Sequence, residues 1–233
     1  MIDCISVENM RRSDEHTIAN LVPSLELMYR AAYGVYLASS WKAPVAIVAG
    51  SGNNGGDGYA LAWILKRQGI DCAVFTVGSK VSSDSAYYRQ KAIEACVPVQ
   101  PLNESSLDPY ETVVDCLLGT GFQGALREDY RHAIELINRR NAYTVSVDIN
   151  SGMNGDSGAY DLAVRSDLTV TIGFVKRGLV MTTAENVMKR LICVDIAIEL
   201  LEQEWKIYSA EEPLTEGGIS CPPWLDMNII KSY

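Results

Sequence analysis

Short apolar runs alternate with amphipathic segments along most of the chain. The runs are rich in β-branched residues and almost continuously apolar, which is typical of strands buried on both faces of a parallel sheet. They are VAIVAG (45–50), DCAVFTVG (71–78), VPVQPL (97–102), ETVVDCLLG (111–119), YTVSVDIN (143–150), DLTVTIGF (167–174) and RLICVDIA (190–197). Helical spacing is found in the segments GDGYALAWILKRQG, SSDSAYYRQKAIEAC and REDYRHAIELINRR, which lie between the earlier runs. This alternation predicts an α/β fold, a Rossmann-like three-layer αβα sandwich around a mainly parallel sheet.

The two ends of the chain differ from this pattern. The segments VENMRRSDEHTIANL and PSLELMYRAAYGVYLASSW predict two leading helices, and Pro23 suits the first position of the second one. The final stretch EEPLTEGGISCPPWLDMNIIKSY has no clear periodicity and is rich in Pro and Gly. We therefore predict one domain over residues 1–208, followed by an arm or linker over 209–233.

Composition narrows the classes of partner. The 233 residues carry a formal charge of −9, which argues against extensive contact with nucleic acid. No apolar run approaches the roughly 20 residues that cross a bilayer, and the start lacks a signal-peptide pattern, so we expect a cytoplasmic protein without membrane contact. The six cysteines form no CxxC pair and are interpreted as small buried hydrophobes.

Three glycine-rich turns follow three of the predicted strands. They are SGNNGGDG, GTGFQGA and NSGMNGDSG. Because the carboxyl ends of parallel strands meet at one edge of a sheet, where open α/β sheets bind ligands, these turns predict one common site. GTGFQG precedes the helix that starts near Arg127, so its N–H groups suit a phosphate, with a simple tight turn as the alternative.

The first turn differs from an ordinary dinucleotide site. Gly50, Gly52 and Gly55 match the GxGxxG pattern, but no acidic residue for a ribose follows the next strand, which leads into Ser79 and Lys80. No Gly-Lys-Ser/Thr sequence follows either, which excludes a P-loop. The turn therefore does not predict a hydride-carrying cofactor.

Two acidic residues near strand ends are candidates for the chemistry. Asp115 has no Lys or Arg near it in sequence, so it needs either a cation or several hydrogen-bond donors. Oxygen groups of Asn54, Ser151 and the turns suit a hard cation, either monovalent or magnesium; the alternative is that Asp115 only accepts N–H groups of its turn.

Asp148 ends a central strand of the predicted sheet and is the candidate for proton transfer. Its competitor is Asp57, which equally suits the start of a helix because the helix dipole stabilises a carboxylate there.

The motifs GNNGGDGY, VDCLLGTG and VDINSG, in this order, resemble the YjeF N-terminal domain family, the NAD(P)H-hydrate epimerases. NMRRSDEHTI and LELMYRAAYGV look like the two leading helices of that family, and TVTIGFVKRGLV is similar to its late strand and turn. The resemblance covers about residues 5 to 200. It implies a Rossmann-like fold and interconversion of the R and S forms of NADH and NADPH hydrated at C6 of the nicotinamide ring.

The resemblance also implies a set of site residues. Substrate contacts are expected from Asn53, Asn54, Gly55, Gly56 and Asp57, from Gly119, Thr120, Gly121, Phe122, Gln123, Gly124 and Ala125, and from Asp148. One potassium ion per subunit is expected at Asn54, Asp115 and Ser151. We expect Asp148 to give and take the proton, and the protein to form a homodimer that supplies a separate or fused ADP- or ATP-dependent dehydratase.

The chain departs from the family pattern at one position that matters for the site. Asn150 stands where the family usually has proline, which loosens the turn between Asp148 and Ser151. PWLDMNIIKSY looks similar to the lead-in to the dehydratase domain of bifunctional members. The alternatives to an epimerase are a non-catalytic scaffold or nucleotide-binding module of the same fold, a nicotinamide oxidoreductase, and a structural partner domain of a dehydratase.

Overall fold

The computed structural model describes residues 1–213 and 217–233. Its helices are α1 (Val7–Asn20), α2 (Ser24–Ala38), α3 (Asn53–Arg67), α4 (Ser83–Glu94) and α5 (Glu128–Arg139). Its strands are β1 (Ile2–Ile5), β2 (Val45–Ala49), β3 (Cys72–Thr76), β4 (Val99–Pro101), β5 (Thr112–Cys116), β6 (Tyr143–Val147), β7 (Leu168–Ile172), β8 (Val175–Lys176), β9 (Leu191–Asp195), β10 (Trp205–Tyr208), β11 (Gly218–Ser220) and β12 (Ile230–Lys231). Two 3-10 helices, Arg177–Val180 and Thr182–Asn186, follow β8.

The main sheet has eight strands in the order β12-β9-β7-β6-β5-β2-β3-β4, and the pairings are parallel. On one face Val45 and Ile47 of β2 pack in a core that includes α2, α3 and α4. On the other face Ala46 and Val48 pack in a core that includes α5. A strand that is buried on both faces has no polar side to alternate with, which is why these runs are continuous in apolar residues. The predicted three-layer α/β fold is confirmed.

A second, four-stranded sheet has the order β11-β10-β1-β8. Its apolar side chains, among them Ile2, Cys4 and Ile207, form a core together with Leu191 and Cys193 of the main sheet. The two leading helices are confirmed, but strand β1 ahead of them was not predicted. Four residues are too few to show a periodicity, and β1 is a strand because β8 and β10 pair with it.

The final residues pack on the body of the molecule where the structure describes them. Trp224 and Leu225 are buried, and the Trp224 indole donates a hydrogen bond to the carbonyl oxygen of Leu179 at 3.0 Å. Strand β12 adds to the edge of the main sheet beside β9. Residues 214–216 of the predicted arm lie outside the described residues, and the boundary at residue 208 stays a prediction. Within the described part of the chain, no helix is both long and apolar enough to span a bilayer.

Candidate functional site

A cleft of about 770 Å³ opens at the carboxyl edge of the main sheet, where β2, β5, β6 and β7 end. Side chains of α1 and α2 close its other side. The predicted site residues that line it are Asn53, Asn54, Asp57, Gly119, Thr120, Gly121, Phe122, Gln123, Ala125 and Asp148. The structure therefore brings two of the three glycine-rich turns and the end of β6 to one place, as the sequence predicts for neighbouring parallel strands.

The remaining predicted residues lie beside or beneath this cleft. Gly124 lines a smaller neighbouring cavity of about 380 Å³. Gly55 and Gly56 lie in the first turn of α3, where a Cβ on Gly55 would collide with the carbonyl oxygen of Gly50, and one on Gly56 with the side chains of Met28 and Ser85. These two glycines permit a close approach of backbone, and substrate contact through them stays a prediction.

The NNGGDG motif is helical rather than a loop. Helix α3 begins at Asn53, with Gly52 as its N-cap, so the predicted helix starts three residues earlier than the sequence pattern indicated. The glycines hid this start because they have low helix propensity. As a consequence Asn53, Asn54 and Asp57 sit in the first turns of a helix whose N-terminus, which attracts negative charge, faces the cleft.

Asp148 occupies a strained turn directly after β6. Its φ is +69°, which is uncommon for a residue with a side chain, and the Ile149 N–H donates to the Val147 carbonyl across it at 2.9 Å. This is a γ-turn with positive φ, a rare and strained conformation. Non-glycine strain of this kind clusters at functional sites, so the turn supports a functional role for Asp148.

The two oxygens of the Asp148 carboxylate have different partners. Oδ1 accepts a hydrogen bond from the Lys176 ammonium at 2.6 Å, and Oδ2 accepts the Thr120 N–H at 3.2 Å. The ammonium and the carboxylate form an ion pair that is largely removed from solvent. A Cβ on Gly119 would lie only 3.0 Å from Oδ2, so the glycine leaves room beside the carboxylate.

Lys176 is a site residue that the sequence reasoning missed. Its side chain is 1% exposed and also donates to the Thr171 hydroxyl at 3.1 Å and to the Ile172 carbonyl at 2.6 Å. A buried ammonium needs such partners, and Asp148 supplies the compensating charge. The available signal was a lysine that closes the apolar run TVTIGFVK at the same edge of the sheet.

Two further carboxyl groups face this ion pair. Burial, followed by the negative charges of Asp148 and Asp14, raises the pKa of Asp57 well above its usual value, and the nearby Lys176 opposes the shift only in part. Burial likewise raises the pKa of Asp14 on α1, which also lines the cleft and was not predicted. No hydrogen bond within the described residues satisfies the Asp57 carboxylate. The cleft thus combines one charged pair with a carboxyl group that favours its protonated form.

Asn54 has an unsatisfied side chain. The residue is 8% exposed, and neither its amide nitrogen nor its amide oxygen has a hydrogen-bond partner within the described part of the chain. An unpaired buried amide costs about 1–3 kcal/mol, so such a group in a cleft indicates a ligand that completes it.

Asp115 is fully buried beneath the cleft and accepts four hydrogen bonds. Oδ1 accepts from the Ser151 hydroxyl at 2.5 Å and from the Leu117 N–H at 3.2 Å. Oδ2 accepts from the Ser151 N–H at 2.9 Å and from the Ser146 hydroxyl at 3.0 Å. Burial raises the pKa of Asp115 above its usual value, and these donors offset the rise only in part. The structure joins Asp115 to Ser151 directly, and within the described residues no Lys or Arg forms an ion pair with Asp115.

The fold and this cleft define a Rossmann-like α/β protein with a ligand site at the carboxyl ends of its strands. The family model described as YjeF-related protein N-terminus matches residues 24–178. The chain belongs to this family, and the resemblance of its motifs is confirmed.

Named relatives and a solved structure agree with this assignment. The chain is 34% identical to the NAD(P)H-hydrate epimerase of Limosilactobacillus fermentum, over 82% of this chain and 95% of that protein. It is 38% identical to the bifunctional NAD(P)H-hydrate repair enzyme Nnr of Archaeoglobus fulgidus, over 74% of this chain but only 36% of that protein. The crystal structure of yeast ynu0 superposes with a TM-score of 0.70 at 22% identity, covering 82% of this chain and 88% of that one, which shows the fold.

Proposed function

We propose that this protein is an NAD(P)H-hydrate epimerase, an isomerase that interconverts the R and S forms of C6-hydrated NADH and NADPH. Its relatives carry this name over most of the chain. The observation that carries the proposal is the Asp148–Lys176 ion pair, which lies in a cleft beside Asn53, Asn54 and Asp57.

The reaction needs one proton donor and one proton acceptor. The C6 hydroxyl is part of a hemiaminal, so the ring nitrogen lone pair expels it as water once its oxygen is protonated. Water then adds to either face of the cation and loses a proton. Asp148, in an ion pair with Lys176, suits the base, and Asp57, whose pKa is raised, suits the acid. The proton that Asp148 takes up then passes to solvent, and solvent reprotonates Asp57. This assignment divides between two residues the roles that the sequence analysis gave to Asp148 alone.

We further propose a potassium ion held by Asn54, Asp115 and Ser151. The fit rests on two observations: the Asn54 amide oxygen has no partner among the described residues, and the fully buried Asp115 has no positively charged side chain paired with it there. The donor set consists of amide, carboxylate and hydroxyl oxygens, which suit a hard cation. Such an ion would supply charge compensation beneath the cleft and would fix the turns after β5 and β6.

We also propose that the protein works as a cytoplasmic homodimer that supplies a dehydratase. The coupling is supported by relatives named bifunctional NAD(P)H-hydrate repair enzyme. The compartment is supported by cysteines that are all unpaired, as is usual in reducing surroundings. Two exposed apolar side chains, Ile18 in the last turn of α1 and Leu21 directly after it, offer a surface for a second copy.

A coupled assay tests the enzymatic proposal. Mixed R and S hydrates are supplied with an S-specific dehydratase, and the protein is expected to accelerate consumption of the R fraction. Asp148→Asn is expected to lower kcat by at least about 100-fold, because a positioned acid or base contributes about 10²–10⁴-fold.

The matched control for this variant is Asp71→Asn. Asp71 is a 76% exposed aspartate that precedes β3 at the opposite edge of the sheet. Wild-type protein that leaves the R fraction to its spontaneous rate would overturn the epimerase proposal and favour a scaffold module. Normal turnover by Asp148→Asn would overturn only the assignment of the base.

A further inference from the structure

Asn150 is a fully buried amide with a complete set of hydrogen bonds. Its Nδ2 lies 2.9 Å from the Val164 carbonyl, 3.0 Å from the Ser166 hydroxyl and 2.9 Å from the Val187 carbonyl. Its Oδ1 accepts the Thr169 hydroxyl at 2.6 Å. One side chain therefore ties the turn after β6 to three other segments: the approach to β7, β7 itself, and the end of the second 3-10 helix.

The turn that Asn150 anchors is the strained one. Asp148, two residues earlier, has φ +69° at the centre of its γ-turn. A residue in such a conformation relaxes unless its surroundings over-determine the backbone, at a cost of about 1–3 kcal/mol. On the near side the Asp148 N–H donates to the Val170 carbonyl at 2.8 Å, which continues the ladder between β6 and β7. On the far side the Asn150 side chain restrains the turn, together with the hydrogen bonds of Ser151 to Asp115.

We propose that Asn150 is a positioning residue that holds Asp148 in this turn and aims its carboxylate at Lys176. This inference rests on the proposed epimerase function. The same amide is adjacent to Ser151, whose N–H and hydroxyl both donate to Asp115, so one anchor serves both sides of the turn. The turn does not depend on a rigid residue at position 150, because side-chain hydrogen bonds restrain it instead.

Only an amide satisfies the surroundings of this side chain. The Val164 carbonyl has no other donor among the described residues, the Val187 carbonyl accepts the Ser166 N–H as well, and the Thr169 hydroxyl donates to the amide oxygen. An aspartate would place a carboxylate oxygen against the two carbonyls, and an aliphatic residue would leave the Val164 carbonyl without a donor and the Thr169 hydroxyl with only Ser166. Because the network is buried, losing some of its hydrogen bonds leaves unpaired polar groups that destabilise the folded state.

The experiment compares three variants. Asn150→Ala removes the anchor, and Thr169→Val removes one hydroxyl of the network with little change in volume. Thr144→Val is the matched control, because Thr144 is also buried and lies on β6, but at its other end, where its hydroxyl donates to the Ala142 carbonyl at 3.3 Å. For each variant we would measure Tm, kcat and KM of epimerisation, and hydrogen exchange of the Ile149 amide that closes the γ-turn.

We expect Asn150→Ala and Thr169→Val to lower kcat by about 10- to 100-fold with little change in KM, because a misplacement of about 1 Å at the reacting group costs up to about 100-fold. The Ile149 amide should exchange faster in both variants. Thr144→Val should lower Tm while kcat, measured well below its Tm, and exchange at Ile149 stay as in the wild type. The contrast between Thr169→Val and Thr144→Val separates positioning from general loss of stability.

A wild-type kcat together with unchanged Ile149 exchange in folded Asn150→Ala or in Thr169→Val would overturn the proposal. If Asn150→Ala does not fold, Thr169→Val decides the question alone. If the proposed function is wrong, the wild type itself will show no epimerisation, which distinguishes that result from failure of this inference. The exchange rate of the Ile149 amide would still show whether Asn150 holds the turn.

Discussion

At the scale of single residues, the proposed chemistry depends on two aspartates, Asp148 and Asp57, whose charged neighbours differ. Asp148 has a cation at 2.6 Å, whereas Asp57 faces the negative charges of Asp148 and Asp14 in a half-buried position. A carboxyl group with a raised pKa next to a carboxylate held in an ion pair is an arrangement that suits an acid and a base working together. The proposed division of roles therefore rests on position in the cleft, since both residues are aspartates.

The raised pKa of Asp57 has a measurable effect on stability. The folded state holds its proton to a higher pH than the unfolded state does, so this residue makes stability fall as the pH rises from the usual aspartate value of about 4 towards the raised folded value. Asp57→Asn removes that loss. We expect the free energy of unfolding of Asp57→Asn, relative to the wild type, to be more favourable at pH 7 than at pH 4.

Urea unfolding at the two pH values measures this difference. Asp71→Asn is the control, because an exposed aspartate in a weak ion pair should change stability by about 0–1 kcal/mol. An identical difference between Asp57→Asn and the wild type at both pH values would show that Asp57 is not desolvated in the folded protein.

Residues in glycine-rich turns were predictable, and the residues that complete the site were not. Asn54, Asp57 and Asp148 stand out because polar groups directly after buried strands have no structural reason to cluster. Lys176 and Asp14 stand in segments where a charged residue has an ordinary explanation, on a strand end and on a helix surface. They line the cleft only because tertiary packing places β8 and α1 beside it, and the sequence does not show this packing.

At the scale of elements, the apolar runs predicted the central strands well, because burial on both faces leaves a strong signal. The small sheet was missed, since β1 has four residues and β8 has two, and neither length shows a period. The start of α3 was placed too late because its first turn contains glycines. Gly55 has low helix propensity, but a larger residue there would collide with the Gly50 backbone, so glycine is required for packing.

This packing gives a prediction for the first turn of α3. A Cβ on Gly55 would collide with the Gly50 backbone, which cannot move without shifting the turn after β2, so Gly55→Ala should lower the free energy of unfolding by about 1–3 kcal/mol. The matched control is Gly121→Ala, where an added Cβ meets nothing within 4 Å, and its effect should stay within about 0.5 kcal/mol. Equal stability of the two variants in urea unfolding would contradict the role given to Gly55.

At the scale of the whole molecule, the proposed potassium ion should appear as a stability effect that is specific for the ion. A ligand that binds only the folded state stabilises it by about 2.7 kcal/mol at 100 times its Kd. A chain of this length gains about 2–4 °C in Tm per kcal/mol. We therefore expect a higher Tm in potassium chloride than in choline chloride at equal ionic strength.

Asn54→Ala provides the control for this prediction. It removes an amide that has no partner among the described residues, without changing the net charge, and should abolish the difference in Tm between the two salts. Equal Tm values for the wild type in both salts would contradict the potassium proposal and leave Asp115 with its four hydrogen bonds as a purely structural carboxylate.

Strand β8 has a practical consequence for handling this protein. Lys176, which compensates the charge of Asp148, is paired in register with Ile5 of β1, so the first residues of the chain hold the partner of the proposed catalytic base. An affinity tag or a trimmed start that disturbs Ile2–Ile5 would displace β8, and with it Lys176, although the tag itself does not contact the cleft. Expression variants intended for kinetics should therefore carry their tags at the other end of the chain.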